Sequence, residues 1–112
     1  MINYAVLLFA IAALGGVFLA AHVMRDKFAP WAASLVHAGF GALGLFLLIA
    51  VFVREGASQV LFVGFLILLV AALGGFFLAS FHLGNRLPPK AVVVIHAGAA
   101  VAGFLTILSQ VV

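Results

Sequence analysis

Seven charged residues divide the chain into four uncharged stretches, Met1–Met24, Phe28–Val53, Gly56–Asn85 and Ala91–Val112. A helix needs about 20 apolar residues to cross the hydrocarbon core of a bilayer, so each stretch is long enough for one crossing. Four crossings use nearly the whole chain. The composition agrees, because a chain of 112 residues that is 69% hydrophobic and 6% charged cannot hide its apolar surface in a water-soluble fold. A transmembrane barrel needs shorter segments of alternating polarity, and these are missing. The predicted fold is therefore all-α, a transmembrane four-helix bundle forming one domain over residues 1–112. The first stretch has no basic n-region, and Ala20-Ala21-His22 makes a poor cleavage site, so it is expected to stay as a helix. The absence of cysteine excludes disulfides and iron–sulfur clusters. The partner expected first is the lipid bilayer, and no nucleic-acid partner is expected.

The second half repeats the first at an offset of 59 residues. Leu14-Gly15-Gly16 falls on Leu73-Gly74-Gly75, Pro30 on Pro89, His37-Ala38-Gly39 on His96-Ala97-Gly98, and Gly44 on Gly103. His22 misses its counterpart by one residue, because His82 falls on Val23. Each repeat, about 4–53 and about 58–112, reads as a helical hairpin: span, short basic loop with proline, span. A repeat with an even number of spans keeps its orientation, which relates the hairpins by a pseudo-two-fold axis along the membrane normal. The loops after the first and third spans carry Arg25, Lys27, Arg86 and Lys90, whereas the other side offers Arg54 beside Glu55. The positive-inside rule then places the hairpin loops in the cytoplasm and both termini outside, in an inner (cytoplasmic) membrane.

Four histidines lie toward the loop side. His22 and His82 are near the ends of the first and third spans, and His37 and His96 lie seven residues after Pro30 and Pro89. Seven residues of helix is about 10 Å, so His37 and His96 are predicted at matching depth, facing each other across the bundle. Glycines recur at a spacing of seven: Gly15 before His22, Gly75 before His82, Gly44 after His37 and Gly103 after His96. That spacing is nearly two turns and puts each glycine on the face of its histidine. Two readings stand for these glycines: room for a flat, bulky group, or close helix contact, their usual use in membranes. Likewise, His22 and His82 suit either a ligand site or the headgroup interface. His37 and His96 are harder to assign to packing, because ionisable groups inside spans are costly and mark function; the competing reading is a structural pair, each bonded to a backbone carbonyl or to Ser34.

A proton relay wants acidic partners, yet the only acids, Asp26 and Glu55, fall between spans. A tetrahedral zinc site does not need glycine-cleared space. Haem fits better. A bis-histidine haem needs two imidazoles on facing helices, an apolar slot, and cations for its propionates. Arg25 and Arg86 are the best cations, since arginine grips a carboxylate with two donors and each follows its histidine by about one helical turn. Without C-x-x-C-H, attachment would be non-covalent, making the cofactor haem b.

This pattern of helix-end histidine, basic loop, proline, His-Ala-Gly and a further glycine resembles small membrane b-type cytochromes. It is also similar to the four-helix halves of haem A synthase. The resemblance covers most of the chain and implies ligation by histidines on the second and fourth helices, His37 and His96. The acidic and arginine motifs of that enzyme's catalytic half are missing, so its chemistry does not transfer.

Three pairings of the histidines satisfy the repeat: His37–His96 with His22–His82 on the axis, or two off-axis sites within or between hairpins. The on-axis pairs differ by about 5–10 Å in depth, too little to stack two macrocycles. The on-axis scheme therefore favours one haem at His37 and His96, with His22 and His82 nearby to support the ligands or to partner the propionates, while the off-axis schemes hold two. The expected function is electron transfer by a bis-histidine carrier or haem subunit rather than catalysis, with a redox protein or quinone as partner. Assembly as a homodimer or within a larger complex is compatible with it. The competing readings are a small transporter or channel, which lacks the expected intramembrane carboxylate, and a structural subunit without cofactor.

Overall fold

The computed structural model describes residues 1–112, in four helices: α1 (Ile2–Met24), α2 (Trp31–Glu55), α3 (Gln59–Leu83) and α4 (Lys90–Leu108). There are no strands, and each helix is long and apolar enough to cross a membrane. The long axis of the molecule measures 43 Å, more than the roughly 30 Å of hydrocarbon it has to cross. Only 14 of the 112 residues are buried, so the apolar side chains mostly face outward, where lipid receives them. Leu14, Val17, Phe46, Phe76 and Ile95, all mid-helix, are exposed. The chain is thus an integral membrane protein.

The hairpin turns show why the helices stop where they do. Asp26 and Asn85, which coincide in the repeat, both take left-handed backbone with φ of 58° and 55°. Asp and Asn tolerate that conformation better than most residues. The next N–H then turns back onto the helix end, Lys27 to the His22 carbonyl and Arg86 to the Phe81 carbonyl, both at 2.9 Å. Pro30 and Pro89 follow as the N-cap residues of α2 and α4, one position earlier than the first helical turn. At the other end Gly56, with φ of 78°, turns α2 into α3, and Ser58 caps α3 by accepting from the Leu61 N–H.

The helices pack in a ring, α1 on α2, α2 on α3, α3 on α4 and α4 on α1, with contact most extensive inside each hairpin. The diagonal pairs, α1 with α3 and α2 with α4, do not meet through their backbones. The main buried cluster, Ala5, Phe9, Leu48, Val51, Leu61, Leu68 and Ile107, lies in the half away from the hairpin loops, while Ala29 and Val93 are buried singly on the loop side. The half nearer the hairpin loops is hollow.

Gly44 and Gly103 belong to the packed half. A Cβ on Gly44 would lie 2.6 Å from the Phe9 ring, and one on Gly103 would lie 2.7 Å from Leu68. Phe9 and Leu68 coincide in the repeat, so each hairpin seats one large side chain of its first helix on a glycine of its second. These glycines therefore serve helix contact, and the expectation that they clear a cofactor slot is corrected. Overpacking of this kind costs about 1–3 kcal/mol. Gly44→Leu and Gly103→Leu are predicted to lower the thermal unfolding midpoint equally with and without added haem. Combining Gly44→Leu with Phe9→Ala should recover most of the loss.

Candidate functional site

The hollow half encloses a cavity of about 620 Å³ to which all four helices contribute. Its volume lies within the range of small-molecule and cofactor sites. Of its 37 lining residues 29 are hydrophobic, and the only polar side chains among them are Ser34, His37, His82 and His96. Several lining residues, among them Val17, Phe46 and Phe76, are also exposed, so the cavity opens sideways toward the lipid.

His37 on α2 and His96 on α4 reach toward each other across the diagonal. Their ring centroids lie 6.2 Å apart with the planes at 83°. Each ring is fixed by its own hairpin. His37 Nδ1 lies 2.7 Å from the Ala12 carbonyl of α1, and His96 Nδ1 lies 2.7 Å from the Ala71 carbonyl of α3. A carbonyl only accepts, so Nδ1 carries the proton and Nε2 keeps its lone pair. This is how metal-binding histidines are usually oriented, with one nitrogen donating to a carbonyl or carboxylate and the other presented to the ion.

The Gly-Gly doublets explain how the rings reach those carbonyls. Gly15 and Gly16 stand three and four residues after Ala12, flanking its carbonyl on the helix surface. A Cβ on Gly16 would come within 3.0 Å of His37 Cε1, and one on Gly15 within 3.4 Å of His37 Cβ. Gly74 and Gly75 do the same for His96, at 3.7 Å from its Nδ1 and 3.1 Å from its Cε1. The expected partnership of Gly15 with His22 and of Gly75 with His82, within one helix, is thereby corrected. The doublets receive His37 and His96 from the neighbouring helix. Of the glycines expected at the site, only Gly75 lines the cavity.

The four histidines do not form one cluster. No group of three or more His, Cys, Asp or Glu side chains is arranged to hold a metal ion. His82 lines the cavity at the loop end, its ring stacked on Trp31 at 3.9 Å and flanked by Phe28 at 5.5 Å. His22 does not line it. Its Nδ1 bonds back to the Phe18 carbonyl of its own helix at 2.8 Å. The slip of one residue in the repeat accounts for the difference, since one residue is a turn of about 100° around the helix. Val23 takes the cavity-facing position, and His22 is rotated away from it.

Three of the four loop cations have partners outside the cavity. Arg25 Nε donates to the Ala21 carbonyl at 3.0 Å, and Arg86 lies over the Phe81 ring at 5.2 Å. Lys90 pairs with Asp26 at 3.1 Å, across the two hairpins. Arg25 and Arg86, expected to contact cofactor carboxylates, do not line the cavity. Sequence reasoning foresaw a backbone carbonyl or Ser34 as the partner of each histidine, but missed that the carbonyls are those of Ala12 and Ala71 and that Gly16 and Gly74 give access to them. For these four a signal existed, since both doublets repeat at the same offset as His37 and His96.

No protein family, curated relative or solved structure matches the chain, so the meaning of the site rests on its own residues. If the doublets exist to receive the imidazoles, Gly16→Leu and Gly75→Leu should displace His37 and His96 from their carbonyls. Nitrogen NMR of labelled histidine is expected to report loss of the fixed Nδ1–H tautomer in these variants. Gly39→Leu and Gly98→Leu, at positions with nothing within 4 Å, should leave the tautomer intact.

Proposed function

We propose that the chain is a membrane electron-transfer protein that binds one haem b between His37 and His96, as a free-standing carrier or as the haem subunit of a redox complex. The observation that carries this reading is the pair of opposed imidazoles in an apolar cavity, each tied through Nδ1 so that Nε2 is left to ligate. The spacing suits a shared ion. A metal held between two Nε2 atoms at about 2.0–2.1 Å sets the ring centroids about 6 Å apart, close to the observed 6.2 Å. Two neutral nitrogen donors from facing helices, with apolar walls between them, are the donor set of a low-spin b-type haem. Two donors alone do not complete a tetrahedral zinc site.

Haem supplies a one-electron couple at its iron. His37 and His96 would hold it through their Nε2 atoms, in ring orientations fixed by the Ala12 and Ala71 carbonyls, within a wall of alanine, leucine, valine and phenylalanine that would limit water. With both histidines bound the iron would have no position open for a substrate, which favours electron transfer over catalysis. The sideways opening between helices suits exchange with a lipid-soluble partner such as a quinone, or contact with a second membrane subunit. The loop end, with Arg25, Lys27, Arg86 and Lys90, supports a cytoplasmic position for the hairpin loops in an inner membrane, by the positive-inside rule.

Purified protein supplied with haem is expected to show a sharp, reducible Soret and α band. His37→Ala and His96→Ala should each abolish the low-spin spectrum, while His22→Ala keeps it. A spectrum indifferent to both ligand variants, or no binding at all, would return the chain to the transporter or structural readings.

A further inference from the structure

We infer that the loop-side mouth of the cavity holds the carboxylate groups of the bound cofactor on one side only, through Ser34 and His82. The inference rests on the haem reading above and assigns the orientation of the group within it. Ser34 falls on Val93 in the repeat, and His82 falls on Val23. All four side chains line the cavity. The two hairpins therefore present matching ligands, His37 and His96, but an unmatched mouth: hydroxyl and imidazole on the α2–α3 side, two valines on the α1–α4 side.

The two polar groups are neighbours. His82 stacks on Trp31 with the planes at 9°, and Ser34 stands three residues after Trp31 on the same face of α2. His37 follows Ser34 by another three. From the loop inward, this face offers a ring stack, a hydroxyl, and then the axial imidazole.

Both groups are left free by the chain. Several polar side chains bond back to a nearby carbonyl: Ser80 to Phe77, Thr106 to Ala102, Ser109 to Thr106 and His22 to Phe18. Such back-bonding is the default for a hydroxyl inside a helix. The Ser34 hydroxyl and the ring nitrogens of His82 make no hydrogen bond to the protein, and neither residue is sealed away from the cavity. A hydroxyl and a ring N–H both donate to a carboxylate, and a charged acceptor strengthens such bonds. Apart from the two ligand histidines, Ser34 and His82 are the polar side chains of the cavity lining.

A macrocycle turned over about the pseudo-two-fold axis would meet the same pair of axial ligands. Only the mouth distinguishes its edges. The acidic edge belongs on the α2–α3 side and the vinyl edge against Val23 and Val93.

The test compares haem b with its dimethyl ester, bound to the full chain in detergent and followed by the low-spin absorption spectrum. The variant is Ser34→Val with His82→Phe, which keeps a ring between Phe28 and Trp31 and removes both donors. Wild type is expected to bind the diacid about tenfold more tightly than the ester, the fold-change that loss of a hydrogen bond to a charged group produces. The variant should show the same spectrum with that preference lost. Proton NMR of the haem methyls should give one set of resonances for wild type and two for the variant, as both orientations become populated. Restoring the donors on the other side, with Val93→Ser and Val23→His in the variant, should restore the preference. A variant that keeps the wild-type preference and a single set of resonances overturns the assignment while sparing the haem reading. Absence of a low-spin spectrum with either compound overturns both.

Discussion

An imidazole placed inside a bilayer has no water to satisfy it, and a buried polar atom without a partner is costly there. The bond from His37 Nδ1 to the Ala12 carbonyl, with its twin from His96 to Ala71, answers that requirement, and much of the architecture follows from it. In an α-helix the carbonyl of residue 12 already receives the N–H of residue 16, so the imidazole uses the second lone pair of that oxygen. Access to it requires α1 to be bare at Gly15 and Gly16, and α3 at Gly74 and Gly75. One bond thus sets the contact between two helices, the composition of the helix it meets, and the direction of the remaining ring nitrogen.

The number of spans, their limits and the division into two hairpins were legible because charge is so sparse that its positions mark every boundary. The matching depth of His37 and His96 was legible from the repeat, since both follow a helix-opening proline by seven residues. The roles of the glycines were not legible. Seven-residue spacing along one helix and close approach from a neighbouring helix leave the same mark in a sequence. Only the neighbour's side chains, Phe9 for Gly44 and His37 for Gly16, tell them apart. Arg25 and Arg86 misled for a different reason. Long flexible side chains near a helix end have the end itself to bind, and both take the local option.

The near-repeat of His22 and His82 illustrates how a single register step decides a role. The turns coincide in the repeat, with left-handed Asp26 over Asn85 and the same backfolded N–H on the next residue of each, so the slip lies in the side chains and not in the backbone. Apolar helices hide such steps. With no polar face to orient them, a histidine that faces the cavity and one that faces away look alike along the chain.

The division of the bundle into a packed half and a hollow half has a mechanical consequence. Contacts inside each hairpin are extensive, contacts between hairpins are fewer, and the main buried cluster lies at the end away from the hairpin loops. The two ends of the bundle are therefore held in different ways. The core end is held by close packing of the buried cluster, and the loop end by an exposed ion pair, Lys90 with Asp26, and by the stack of His82 between Phe28 and Trp31. Exposed ion pairs contribute little, about 0–1 kcal/mol, so the aromatic stack is the stronger tie between the hairpins at that end.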